Sequence, residues 1–162
     1  WPRSLPLRRA IAAGLRQQTL RQQTIHEQTG KFATMTRQVI AQPGGTNSTA
    51  PYSPAIKWGQ MLFVSGQTGS DPVTRQFPSG IKEQTRISLQ RAKEIAESVG
   101  GSLDNALKVT IFMTDMLNEF QAMNEVFSEF FPHEPPARST VGVAHLAREG
   151  LKVEIEMIIA LD

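Results

Sequence analysis

The 162-residue chain contains no cysteine, one tyrosine and only three widely separated histidines, His26, His133 and His145. Without cysteine it can form no disulfide bond and offers no thiolate as a nucleophile or metal ligand. The scattered histidines do not favour a histidine-rich metal site. Its apolar runs are far shorter than the roughly 20 residues that a membrane span needs, so we expect no membrane partner.

Acidic residues are nearly absent from the first 34 residues, which carry six lysines and arginines but one acid, Glu27. Arginine-rich, acid-poor N-termini are typical of organelle transit peptides, mitochondrial ones especially. We therefore predict that residues 1–34 form a basic, transit-peptide-like, disordered extension and that the protein is mitochondrial. A plain disordered tail on a cytoplasmic protein is the alternative, because Ser4 is the segment's only serine and transit peptides are usually richer in it.

Residues 35–162 have the opposite charge balance, with 11 lysines and arginines against 14 acids. The positive net charge of the whole chain therefore comes from the N-terminal segment, and the body is mildly acidic. Since binding to phosphates requires concentrated positive charge, the body does not favour a broad nucleic-acid surface. Its length matches one domain.

Hydrophobic periodicity predicts the order β-ββ-α-β-α-ββ for this domain. The predicted strands are Arg37–Ala41, Ala55–Trp58, Met61–Ser65, Ala106–Thr114, Arg138–Val143 and Lys152–Ala160. Apolar residues spaced three and four apart predict a helix over Ile81–Val99 that ends at Gly100. A second helix with an aromatic inner face is predicted to have Asn118 as its N-cap. The fold class is therefore α/β (α+β), with a six-stranded mixed sheet and two helices on one face.

The last predicted strand has two different sides. One side carries Val153, Ile155 and Met157, and the other carries Glu154, Glu156 and Ile158. Two helices can cover only one face of the sheet, so the second side faces either water or another subunit. A surface that mixes carboxylates with aliphatic side chains suits an oligomer interface better than a monomer surface.

Arg138 begins a strand directly after Pro135, Pro136 and Ala137. The prolines stiffen the approach and fix where the guanidinium emerges. Arginine presents a planar fork that matches a carboxylate with two parallel hydrogen bonds. Arg138 is therefore a candidate carboxylate-binding residue, and a surface salt bridge is the alternative.

Glu154 lies on the strand side predicted to point away from the helices. In a partly buried cleft, a glutamate has a raised pKa and can act as a general base on water. The alternative is an ordinary glutamate on a solvated sheet face.

Four further positions are candidate ligand contacts. Tyr52, at the mouth of the first hairpin, could stack on or hydrogen-bond a ligand. Gly66 permits close backbone approach, and the neighbouring Ser65 could bind a polar ligand group. Asn124 is a polar residue in the middle of the second helix. A half-buried aromatic, a strand-end turn and an exposed helix position are the respective structural alternatives.

Together these residues belong to sequence runs that closely resemble the RidA/YjgF family. The runs are Ala-Pro-Tyr-Ser-Pro-Ala at 50–55, Leu-Phe-Val-Ser-Gly-Gln at 62–67, Asn-Glu-Val-Phe at 124–127, Pro-Ala-Arg-Ser-Thr-Val-Gly-Val at 136–143 and Val-Glu-Ile-Glu at 153–156. Their order and spacing match the family from about Thr36 to Asp162. Residues 1–34 lie outside the resemblance.

The resemblance implies a chorismate-mutase-like fold and a homotrimer with three active sites in the clefts between subunits. It also implies 2-iminobutanoate/2-iminopropanoate deaminase activity without a metal or cofactor. Such enzymes hydrolyse reactive 2-imino acids, or their enamine tautomers, to 2-oxo acids and ammonia. Pyridoxal-phosphate-dependent dehydratases release these compounds, which otherwise damage other enzymes.

The resemblance also assigns roles to residues of this chain. Arg138 would bind the substrate carboxylate, and Glu154 would position and activate the attacking water. The backbone at Thr140 would contact the imine nitrogen or the water. The pocket would be lined by Tyr52, Ser65, Gly66 and Asn124. The alternative is a non-catalytic family member that binds ligands, acts as a chaperone or inhibits translation through RNA cleavage.

Overall fold

The structure, a computed structural model, describes residues 36–44, 51–71, 74 and 76–162. Within it, Arg37–Asp162 form one compact unit. The predictions for residues 1–34 lie outside the described residues and stay predictions.

Among the described residues, six strands and two α-helices follow the predicted order. The strands are β1 (Arg37–Ile40), β2 (Ala55–Trp58), β3 (Met61–Thr68), β4 (Ala106–Met113), β5 (Ala137–Gly142) and β6 (Val153–Ala160), and the helices are α1 (Ile81–Glu97) and α2 (Met116–Phe130). The spatial order of the strands is β1-β2-β3-β6-β4-β5. Strands β4 and β5 are parallel, and the other neighbours are antiparallel. The predicted six-stranded mixed sheet is confirmed.

Both helices pack on the same face of the sheet, as predicted. Helix α1 contacts β3 and β6, and Met123 and Phe127 of α2 belong to the same buried core. Alternate residues of β6, from Val153 to Ile159, are buried beneath the helices. The intervening positions face the other way. We call this side of the sheet, which α1 and α2 leave uncovered, the open face; it includes Ile56, Phe63, Glu154, Glu156 and Ile158.

Helix α2 begins earlier than the sequence pattern predicts. Its N-cap is Asp115, whose carboxylate accepts a 3.3 Å hydrogen bond from the backbone N–H of Asn118. The prediction of Asn118 as N-cap was wrong, because aspartate and asparagine are equally good caps and the pattern did not separate them. Helix α1 ends at Glu97, two residues before the predicted Val99, and Gly100, with a φ of 80°, closes the turn that follows it.

Gln84, in the first turn of α1, forms hydrogen bonds with three backbone groups outside the helix. Its fully buried amide Nε2 donates hydrogen bonds to the carbonyls of Pro78 (2.7 Å) and Gly150 (2.8 Å). Its Oε1 accepts a 2.9 Å bond from the backbone N–H of Lys152. Gln84 therefore fixes the turn that leads into β6, the strand that carries Glu154.

We expect Gln84→Leu to destabilise the fold strongly. Leucine fills a similar volume but leaves the two carbonyls and the N–H without their buried partner. An unsatisfied buried polar group costs roughly 1–3 kcal/mol, so the apparent free energy of unfolding should fall by about 3–5 kcal/mol. Urea denaturation at one fixed protein concentration measures this change.

Gln90→Leu is the matched control, because Gln90 is exposed on the same helix. A surface substitution of this kind usually changes stability by less than about 0.5 kcal/mol. An equally small change for Gln84→Leu would contradict the role of Gln84 in fixing the turn that leads into β6.

Candidate functional site

Arg138 lies on β5, an edge strand of the described sheet, and its side chain points toward the helices. In the register of β4 and β5 it is the partner of Val109, which is fully buried beneath the helices. Its guanidinium carbon lies 4.5 Å from the ring centroid of Phe127 and 5.9 Å from that of Phe120. Both rings belong to α2, so the guanidinium is held between the edge strand and this helix.

The guanidinium of Arg138 is available to a ligand. Among the described residues, no carboxylate forms an ion pair with it and no acceptor receives a hydrogen bond from it. Burial lowers the pKa of Arg138, yet the group stays charged at neutral pH because the pKa of arginine lies far above 7. The surface salt bridge, the alternative interpretation of Arg138, has no partner in this part of the chain.

Asn124 and Thr140 lie in the neighbourhood of Arg138. Asn124 follows Phe120 by four residues and precedes Phe127 by three, so these three side chains share one face of α2. Thr140 follows Arg138 by two residues in β5 and points to the same side of the sheet. Its hydroxyl is buried without a hydrogen-bond partner among the described residues. We call Arg138, Asn124 and Thr140 the arginine half-site.

Glu154 lies on the open face of β6, between Thr68 of β3 and Phe112 of β4. A Cβ atom at Gly66 would overlap the Glu154 carboxylate, so the close approach of the two residues requires glycine. Burial raises the pKa of Glu154, and the like charge of Glu156 raises it further. The carboxylate therefore binds a proton more readily than an ordinary glutamate, as a general base must.

The glycine beside Glu154 belongs to a β-bulge in β3. Ser65 and Gly66 lie where the register with β6 shifts, between Val64 and Gln67. The apolar pattern predicts a strand end at Ser65, which was wrong, because backbone pairing with β6 continues beyond the apolar run. Bulges bend a strand and redirect its side chains, which is how this segment meets the carboxylate.

Two hydrogen bonds fix the loop that carries Tyr52 beside this bulge. The Oγ of Ser65 donates to the carbonyl of Ser53 at 2.7 Å, and the N–H of Ser65 donates to the carbonyl of Pro54 at 3.0 Å. Since its proton is already used, the Ser65 hydroxyl can only accept from a ligand. Tyr52 is 66% exposed, so its ring is accessible. We call Tyr52, Ser65, Gly66 and Glu154 the glutamate half-site.

The key residues of the two half-sites lie on opposite faces of one sheet. Arg138 is on the helix-covered face of β5, and Glu154 is on the open face of β6. Strand β4 lies between them, which separates β5 from β6 by roughly 10 Å. The guanidinium and the carboxylate of a single chain therefore cannot both contact one small ligand.

The open face carries a cavity of about 320 Å³ next to the glutamate half-site. Its polar lining residues include Ser65, Lys108 and Glu156, and its apolar ones include Phe63. Phe63 is 43% exposed. An apolar surface with a polar rim, at a sheet face that neither α1 nor α2 covers, is suited to contact with another protein chain.

The shifted pKa of Glu154 makes a pH-dependence prediction for any reaction in which it accepts a proton. As pH falls through a raised pKa, the carboxylate is protonated earlier than an ordinary glutamate. Activity should therefore be lost on the acid side, at a higher pH than a glutamate with an unshifted pKa would give. The measurement is the pH profile of kcat/KM, together with an NMR titration of the Glu154 carboxyl carbon.

Glu156→Gln should move this acid limb to lower pH, because it removes the like charge that raises the pKa of Glu154. The shift should be partial, since burial is the larger cause and remains. Glu83→Gln, at an exposed position of α1, is the control and should leave the profile unchanged. A profile that Glu156→Gln does not move would contradict the assignment.

Residues 45–161 match the family described as Endoribonuclease L-PSP. The chain belongs to the RidA/YjgF family. A RutC family protein of Pyrococcus horikoshii is 43% identical over 75% of this chain and 96% of its own length. A protein of Dermatophagoides farinae named 2-iminobutanoate/2-iminopropanoate deaminase is 35% identical over 78% of this chain and 98% of its own length.

Solved structures of this family share the fold. The crystal structure of Escherichia coli TdcF with bound serine has a TM-score of 0.71 and 35% identity, covering 77% of this chain and 99% of that one. Among the relatives, the mitochondrial protein mmf2 of Schizosaccharomyces pombe is 42% identical over 68% of this chain and 87% of its own length. The RidA-family resemblance and the predicted fold class are thereby confirmed.

The sequence pattern missed one feature of this RidA-family site. Phe120 and Phe127 are predicted only as part of the aromatic inner face of α2, not as contacts of Arg138. Their seven-residue spacing, which places them on one helix face, was the available signal. Within the described ranges, no group of three His, Cys, Asp or Glu residues could hold a metal ion, and no helix is long and apolar enough to cross a membrane.

Proposed function

We propose that this RidA-family protein hydrolyses 2-imino acids, 2-iminobutanoate and 2-iminopropanoate among them, to 2-oxo acids and ammonia. One observation carries the proposal: the chain holds a guanidinium fork that no described residue pairs with, and a partly buried carboxylate of raised pKa. A 2-imino acid suits both groups, because its carboxylate fits the fork and its hydrolysis requires a general base. The names of two relatives, 2-iminobutanoate/2-iminopropanoate deaminase and "Putative reactive intermediate deaminase TdcF", support this class of substrate.

In the proposed reaction, Arg138 forms two parallel hydrogen bonds with the substrate carboxylate and thereby fixes the imine carbon. Glu154 takes a proton from a water molecule whose oxygen attacks that carbon. The electrons of the C=N bond pass to nitrogen, which accepts a proton, and a carbinolamine forms. The amino nitrogen then accepts a second proton as the hydroxyl proton is removed, so the C–N bond breaks and ammonia leaves, with the 2-oxo acid as the other product.

The remaining site residues have supporting roles in this proposal. Tyr52 covers the substrate, and the backbone at Thr140 contacts the imine nitrogen or the attacking water. Ser65, Gly66 and Asn124 line the pocket. Gly66 has a second role, because its lack of a side chain admits the carboxylate of Glu154.

The proposed assembly is a homotrimer in which each active site combines the arginine half-site of one subunit with the glutamate half-site of the next. The separation of Arg138 and Glu154 on opposite sheet faces supports this arrangement. The exposed apolar residues of the open face supply a contact surface. Light scattering tests it: a trimer is expected, and a monomer at micromolar concentration would contradict it.

The deciding experiment for the function couples the protein to threonine dehydratase and traps the released imine with semicarbazide. Faster imine decay and less trapped semicarbazone are expected when the protein is added. No acceleration would contradict the deaminase proposal. Cleavage of RNA by the same preparation without imine hydrolysis would instead favour the alternative function, against which the acidic balance of residues 35–162 argues.

We also propose that residues 1–34 direct import into mitochondria. The basic, acid-poor composition of this segment supports the proposal, as does the similarity to the mitochondrial protein mmf2 of Schizosaccharomyces pombe. Imaging of fluorescent fusions with and without residues 1–34 tests it. Mitochondrial signal that survives deletion of the segment, or that never appears, would contradict the proposal.

A further inference from the structure

We infer that Phe127 is a positioning residue for Arg138, whose guanidinium it holds in place by a cation–π contact. The inference rests on the proposed function, because it assumes that Arg138 binds the substrate carboxylate. It goes beyond that function in assigning to a core residue of α2 a role in substrate affinity.

The contact is short and its aromatic partner is fixed. The guanidinium carbon of Arg138 lies 4.5 Å from the centroid of the Phe127 ring, well within the roughly 6 Å limit of such contacts. Phe127 is only 4% exposed. Its other neighbour is Phe131, whose ring centroid lies 4.6 Å away with an interplanar angle of 31°. Because the Phe127 ring is almost wholly buried in the core, it cannot turn away from the guanidinium.

Arg138 needs such a support because nothing else in the described part of the chain orients its guanidinium by a polar contact. No ion pair or hydrogen bond involving this guanidinium exists among the described residues. A long arginine side chain on an edge strand otherwise samples many rotamers, and binding a ligand would have to order it. Contact with one ring face satisfies the cation electrostatically but leaves N–H groups unbonded and available to a carboxylate.

A merely structural role for Phe127 makes a different prediction. Loss of packing lowers the fraction of folded protein, which lowers the apparent kcat but leaves KM unchanged. Loss of positioning raises KM and the Kd of a carboxylate ligand. Each binding event must then also order the Arg138 side chain, which lowers the free energy gained on binding.

The test compares three variants of the full chain. Phe127→Leu removes the ring but keeps an apolar side chain, and Phe127→Tyr keeps the ring. Phe131→Leu is the matched control, because Phe131 is similarly buried, at 6% exposed, and follows Phe127 by four residues. The readouts are KM and kcat for imine hydrolysis, the Kd of 2-oxobutanoate, and the NMR signal of the Arg138 Nε–H group, which the Phe127 ring current shifts.

We expect Phe127→Leu to raise KM and the Kd of 2-oxobutanoate by about three- to thirty-fold, the fold-change that corresponds to one cation–π contact. The Arg138 Nε–H signal should lose its ring-current shift. Phe127→Tyr and Phe131→Leu should both leave KM, the Kd of 2-oxobutanoate and the Arg138 Nε–H signal near wild type. Equal effects of Phe127→Leu and Phe131→Leu on Kd and on the NMR signal would overturn the inference.

The NMR and 2-oxobutanoate measurements separate failure of this inference from failure of the proposed function. If the wild type does not hydrolyse imines, the proposed function fails, and the shift of the Arg138 signal and the Kd still decide the role of Phe127. If the wild type hydrolyses imines and Phe127→Leu leaves KM, the Kd of 2-oxobutanoate and the Arg138 Nε–H signal unchanged, only the positioning role fails.

Discussion

Arg138→Ala is expected to lower kcat/KM for 2-imino acid hydrolysis by about 10²–10⁴-fold. Each charge-assisted hydrogen bond to a carboxylate contributes roughly 1.5–3 kcal/mol, and the guanidinium fork makes two of them. The loss should appear in both KM and kcat, because an unanchored carboxylate also leaves the imine carbon poorly aligned with the attacking water. Steady-state kinetics with the semicarbazide-trapping assay measures it.

Arg138→Lys separates charge from geometry. Lysine keeps the positive charge but offers a flexible ammonium in place of a planar fork. It should therefore recover only part of the activity and remain at least about ten-fold below wild type. Equal activity of Arg138→Lys and wild type would show that only the charge matters.

Arg148→Ala is the matched control for both substitutions. Arg148 also lies over an aromatic ring, with its guanidinium carbon 4.7 Å from the centroid of Phe77, but it belongs to neither half-site. Its replacement should leave kcat/KM near wild type. Full activity of Arg138→Ala, or an equal loss in Arg148→Ala, would contradict the proposed mechanism.

Mixing two inactive variants is expected to restore activity. Arg138→Ala destroys the arginine half-site and keeps the glutamate half-site, and Glu154→Gln does the reverse. Each preparation alone should have little activity. If one active site combines half-sites from two subunits, trimers that contain both variants hold some sites in which both half-sites are intact.

The expected recovery follows from random assembly of the two chains. After unfolding and refolding together in equal amounts, half of the subunits carry an intact Arg138 and half carry an intact Glu154. About a quarter of the subunit interfaces then combine both intact half-sites, so about a quarter of wild-type activity is expected. A site built within one chain would give no recovery at all, and that result would contradict the interface proposal.

The control for this experiment is a double variant that carries Arg138→Ala and Glu154→Gln on the same chain, mixed with wild type. Only the wild-type subunits then contribute intact half-sites to the mixed trimers. A quarter of the interfaces again join two intact half-sites, but the activity starts from half of the wild-type value, that of the equal mixture before refolding, and falls to a quarter. A poor refolding yield lowers the activity of both mixtures. A rise in the first mixture together with a fall in the second therefore shows that active sites assemble across subunits.

The sequence by itself determined much of the fold. The alternation of apolar residues in β6 and the three-and-four spacing in α1 follow directly from the geometry of strands and helices. Gly100 marks a helix end because glycine readily adopts a positive φ. Such features depend on neighbours in the chain, so local pattern suffices to predict them. Arg138 and Glu154 were likewise identifiable as candidates by residue type and position.

Only the tertiary structure decided how these residues are arranged. The pairing order β3-β6-β4-β5 puts β4 between Arg138 and Glu154, and the register places them on opposite faces. The bulge at Gly66 depends on pairing with β6, and the contact of Arg138 with Phe127 depends on the packing of α2 against β5. Strand order, register and helix packing join residues distant in the sequence, and no local periodicity specifies them. The division of this site into two half-sites is therefore a property of the fold.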